Sequence, residues 1–107
     1  MCQKTLAKSS QGYVIKCGNC PNLHVAFGTV LLSLSADQFC AFSKTLARCY
    51  DVHKCRDNRE EKCIQVPTEL SSLMLVFTLN ELADFQTLLQ SAYEALRRER
   101  LLEFNLN

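Results

Sequence analysis

Only three glycines occur in this 107-residue chain, Gly12, Gly18 and Gly28, and their spacing builds no phosphate-cradling loop. A Gly-x-Ser-x-Gly nucleophile elbow is also missing. Charge of one sign is scarce: 12 basic against 11 acidic side chains leave a formal net charge of +1. That balance supplies no field to steer a polyanion, so nucleic acid is not an expected partner. Long apolar runs are absent too. Val30-Leu31-Leu32 and Leu73-Met-Leu-Val-Phe77 fall far short of the roughly 20 residues that a membrane helix needs, so no membrane span is expected. Met1–Ser10 holds no apolar stretch of signal-peptide length. A cytoplasmic, reducing compartment is therefore expected, in which thiols stay reduced or bind metal. The seven cysteines agree, because an odd number cannot pair completely within one chain.

What is present is an ordinary globular composition. With 48% hydrophobic and 21% charged residues, the chain can bury a compact core as a single domain over residues 1–107. Sliding the sequence on itself places Val30–Tyr50 over Leu73–Tyr93 without a gap. Leu34 falls on Phe77, Ser35 on Thr78, Phe39 on Leu82, Phe42 on Phe85 and Tyr50 on Tyr93. Each copy carries a capping box, Ser35 with Gln38 and Thr78 with Glu81. Each also carries a hydrophobic staple, Leu34 with Phe39 and Phe77 with Leu82. Beyond each cap the apolar residues step by three and four. Phe39, Phe42, Leu46 and Cys49 mark one amphipathic helix, and Leu82, Phe85, Leu89, Ala92 and Leu96 the other.

Before each cap lies a strand-like alternation, Val30/Leu32/Leu34 and Leu73/Leu75/Phe77. Shorter apolar runs precede these at Leu23–Phe27 and Cys63–Val66, and Gly12–Cys17 adds a further strand. The predicted fold is α+β. About five strands form an antiparallel sheet with two helices on one face, in the order β-β-β-α-β-β-α, and a ββα unit is repeated over 21–50 and 64–93. Convergence on a common strand-then-helix grammar explains the repeat as well as duplication does. The charged stretch 51–62 is the expected exposed linker.

The chemically pointed feature is Cys17-Gly-Asn-Cys20, followed by His24. Two thiolates three positions apart at a turn suit one half of a structural zinc site, and His24 offers a nitrogen. The fourth ligand is sought in Cys55, with His53 and Cys63 as further candidates. A thiol redox protein or sensor using Cys17 and Cys20 is the alternative. It lacks the helix N-terminus that lowers a thiolate pKa, because Pro21 and an extended segment come next. A reduced pair that merely closes a turn is the plainest reading. Cys49, on the helix stripe, reads as a small core residue. Arg97-Arg98-Glu99-Arg100 sits late in the second helix, where cations offset the dipole.

Leu31, Met74 and Val76 point away from the core side of their strands and leave an apolar face that wants a cover. The tail Leu101-Leu-Glu-Phe-Asn-Leu-Asn alternates as well. It reads as an extra strand, folded back onto the sheet or paired with another chain. The stretch Tyr13-Val-Ile-Lys-Cys-Gly-Asn-Cys, with His24-Val-Ala-Phe-Gly-Thr-Val, resembles a family of small bacterial proteins of Bacteroidetes type whose function is unassigned. The resemblance implies a cytoplasmic bacterial domain and carries over Cys17, Cys20 and His24. Together these features point to a non-enzymatic interaction or regulatory domain. It is expected to self-associate or bind a protein partner, with zinc at the Cys-x-x-Cys turn.

Overall fold

The computed structural model describes residues 3–18, 21–68 and 70–106, with the side chains of Cys17 and of 100–106 outside that description. The elements are β1 (Gln3–Lys8), β2 (Gly12–Cys17), β3 (Leu23–Phe27), β4 (Val30–Leu34), α1 (Ala36–His53), β5 (Ile64–Pro67), β6 (Met74–Phe77) and α2 (Leu79–Leu106). The class is α+β, and the order is the expected one with one strand more at the N-terminus. Strands β1 to β4 form an antiparallel meander, while β5 and β6 form a separate antiparallel pair. Helix α2 packs across β1 and β2, α1 packs against β5 and β4, and the helices pack on each other. A single hydrophobic core joins both sheets and both helices.

The helices begin where their caps dictate. Ser35 Oγ accepts the Gln38 amide at 3.2 Å, and Gln38 Oε1 accepts the Ser35 amide at 2.9 Å. Thr78 and Glu81 repeat this exchange at 3.0 and 2.9 Å. The two strand pairs also share a register. Leu23 faces Leu34 and Val25 faces Leu32, as Ile64 faces Phe77 and Val66 faces Leu75. The ββα units are thus alike in cap, pairing and apolar face.

Strand β1 escapes the alternation rule because of a bulge between Thr5 and Ala7. The extra residue turns neighbouring Leu6 and Ala7 inward together, both buried, so the sequence QKTLAK shows no period of two. Glycine is required at two points. A Cβ on Gly12 would lie 2.0 Å from the Ala26 carbonyl oxygen, so β2 and β3 approach too closely for a side chain. Gly28 has φ 61 and sits first in the two-residue β3–β4 turn, where a primed turn needs positive φ.

Two further expectations change. The C-terminal stretch is not a strand, because α2 runs on through Leu106. Its leucines and Phe104 continue a helix already propagating from a strong cap, and adding a residue to a helix costs less than starting a new strand. The linker also starts later, since α1 runs through His53. Residues 54–62 are exposed but anchored. Asn80 donates its amide to the Arg59 carbonyl at 3.2 Å, and its side-chain oxygen accepts from Arg59 Nε at 2.9 Å.

Late in α2, Glu99 faces β1 and β2 and pairs with Lys4 and, at 3.3 Å, with Lys16. The hydrogen bond from Lys4 holds the Glu99 carboxyl below the usual carboxylate range. Burial opposes this, and the Lys16 ammonium adds to it. Because the folded-state pKa is depressed, this pair stabilises the fold above the unfolded value of about 4.3. The contribution is lost as pH falls through the lower folded value. Glu99→Gln should therefore lose less stability than the parent protein between about pH 5 and pH 3, as read from urea midpoints at both pH values. The caps give a second expectation. Ser35→Ala and Thr78→Ala should each cost about 1 kcal/mol, with a lowered urea midpoint and an unchanged slope.

Candidate functional site

Of the residues proposed for zinc, the structure describes the side chains of His24 and Cys55, while Cys20 and the Cys17 side chain lie outside the described residues. His24 sits on β3 opposite Ile15 and Ser33, half-buried. Cys55 is exposed in the turn after α1. The 18 residues of α1 span about 27 Å at 1.5 Å per residue. The N-cap Ser35 lies two residues from Ser33, the neighbour of His24. Helix α1 therefore carries Cys55 to the end of the helix far from β4, whereas the ligands of one zinc lie within about 2.3 Å of it. Among the described residues no three His, Cys, Asp or Glu side chains cluster to hold an ion. His53 is engaged locally, accepting from Arg56 Nε at 3.0 Å. Cys49 and Cys63 pack against the core, and burial pushes the Cys49 thiol up despite Arg48 beside it.

A different site emerges where the two sheets part. Strand β4 ends the four-stranded sheet, β6 ends the two-stranded one, and neither pairs with the other. A groove opens between them. One end is a cavity of about 420 Å³ reaching down to Phe27, Phe77 and Phe85. The other is a cavity of about 400 Å³ under Leu34, Phe42 and Leu70. Leu32 and Leu73 line both cavities, so the two adjoin along the space between β4 and β6. These are the equivalent strands of the two ββα units.

The groove is lined mostly by apolar side chains, with Thr29, Lys62 and Glu81 at one end and Ser33, Gln38, Thr45 and Thr68 at the other. Leu31 is 60% exposed and Leu70 63%, and Leu73, Met74 and Val76 are exposed beside them. The outward positions named by strand alternation are thus exposed, but they border a groove between two sheets. At one end Lys62 Nζ donates to both Glu81 oxygens at 2.9 and 3.2 Å and to the Val76 carbonyl at 3.4 Å. The same Glu81 closes the capping box of α2, so the rim charge is held in place by the helix start. Sequence reasoning found Leu31, Met74 and Val76 but set Leu73 on the core side of its strand, did not single out Leu70, and missed the groove. Its only local signal is that both β4 and β6 are uncharged.

The described fold defines a small α+β domain of two like ββα units that pack helix to helix and leave a groove between their inner strands. The chain belongs to a family of unknown function, DUF6686, which matches residues 1–105. No curated protein and no solved structure matches it. Among the described residues no helix is long and apolar enough to cross a membrane.

The placement of Cys55 gives a direct expectation for metal content. Cys55→Ser should leave any zinc bound by the purified protein unchanged, as weighed by native mass spectrometry under reducing conditions. Loss of a zinc mass on that substitution would show that Cys55 is a ligand after all.

Proposed function

We propose that this chain is a non-enzymatic protein-interaction domain that works through the groove between β4 and β6. The observation that carries the reading is the concentration of exposed apolar side chains at one place. Leu31, Leu70, Leu73, Met74 and Val76 gather around the groove, while Tyr13, Val52 and Tyr93 lie elsewhere. Soluble domains rarely leave such residues contiguous unless another surface covers them. Burying a large aliphatic side chain contributes about 1.5–3 kcal/mol, so a few of these positions suffice to hold a partner.

The site is also built to persist. Its floor is the aromatic core itself, with Phe27 and Phe85 stacked at 4.4 Å. Its walls are strands fixed by the two capped helices. A groove so supported is preformed, which lowers the ordering cost of binding.

Site-directed photo-cross-linking in cells tests this. A benzophenone side chain in place of Leu73 should give a covalent adduct of defined mass. The same group in place of Val52, at the far end of α1 and 76% exposed, should give none. Adducts from Val52 alone, or from neither position, would overturn the reading.

A further inference from the structure

We infer that the groove takes an extended, uncharged, apolar segment of another polypeptide, which adds to β4 as a fifth strand of the four-stranded sheet. The inference rests on the interaction reading above and names the partner's chemistry and its mode of binding.

The edges of the two sheets are treated differently. Exposed sheet edges invite pairing, and folds blunt them with charge, proline or bulges. Outer edge β1 carries Lys4 and Lys8 and the bulge between Thr5 and Ala7. Outer strand β5 ends in Pro67. On β6 the Val76 carbonyl is covered by the Lys62 ammonium. Strand β4, Val-Leu-Leu-Ser-Leu, has no charge, no proline and no bulge. Of these edges only β4 is left without a guard.

The register shows which β4 groups are free. A two-residue turn makes Phe27 and Val30 the hydrogen-bonded pair beside it. Bonded and non-bonded pairs then alternate, so Val30, Leu32 and Leu34 bond to β3. The N–H and C=O of Leu31 and Ser33 point to the open side, and no backbone group of another element among the described residues bonds to them. Two donors and two acceptors thus stand at the two-residue spacing of an incoming strand. The side chains of that strand alternate, and the groove offers cavities at both of its ends.

Charge and shape narrow the occupant. Lys62 and Glu81 neutralise each other, so the groove presents no net charge and matches a segment without charges. The segment must also be free of any sheet of its own, because β4 lies on one side of it and β6 on the other. A second copy of the chain supplies no such segment among the described residues. Its strands are all paired, its outer edges are guarded, and its β4 lies in a groove of its own.

The probe is an acetylated, amidated peptide of alternating threonine, valine, serine and leucine, added at millimolar concentration to the isotope-labelled full chain. The Leu31 and Ser33 amides should exchange with solvent at least tenfold more slowly, while Val30 and Leu32 change little. Ser33→Pro removes one outward N–H without touching the β3 ladder. It should weaken peptide binding about tenfold, while Ser33→Ala should not. Unchanged exchange at Leu31 and Ser33 overturns strand addition. So does equal binding by the proline and alanine variants. A species of twice the mass with these amides protected overturns the foreign segment in favour of a second copy. The cross-link at Leu73 is independent: if it persists while strand addition fails, the groove remains the interaction site.

Discussion

The structure depends first on one aromatic contact set centred on Phe85. This ring stacks on Phe27 with 10° between planes, and meets Phe77 at 5.6 Å and Phe42 at 5.8 Å, both edge to face. Each partner comes from a different element: Phe27 from the larger sheet, Phe77 from the smaller, Phe42 from α1. Such geometries add about 0.5–1.5 kcal/mol per pair beyond burial. Their structural effect is larger, because four elements that share no hydrogen-bond ladder are locked at one point. Phe42 and Phe85 are also equivalent positions of the two ββα units, so the contact lies where the halves meet.

That lock explains why there are two sheets. Phe27, Phe77 and Phe85 fill the space behind the junction of β4 and β6 and form the floor of the groove. The capped helices pack on each other, α2 against the larger sheet and α1 against β5. The groove is therefore a consequence of how the core is filled. It needs no flexible loop, and its polar rim is tied to a helix cap through Glu81.

Much of the fold is legible from local signals. The capping boxes at Ser35 and Thr78 and the staples beside them fix where both helices begin, and the three-and-four stepping fixes their buried faces. Strand β1 is not legible, because its bulge erases alternation and its place is set by pairing with β2 and by the Lys4–Glu99 contact. The tail misleads because Leu102, Phe104 and Leu106 alternate, while the helix that precedes them simply continues. The site is only half legible. Leu31, Met74 and Val76 stand out as unburied apolar positions, but nothing local says that the strands bearing them face each other across a gap.

The sequence by itself determined the class of fold, the order of its elements from β2 onward, the helix starts and the like character of the two halves. These rest on interactions between residues three or four apart, or on the alternation of a single strand. The tertiary structure alone decided that the strands divide into two sheets, that Cys55 stands at the end of α1 far from β4, and that β4 keeps an open edge. Those outcomes depend on contacts between distant segments, above all the meeting of Phe27, Phe42, Phe77 and Phe85, and no local pattern encodes the angle at which such rings pack.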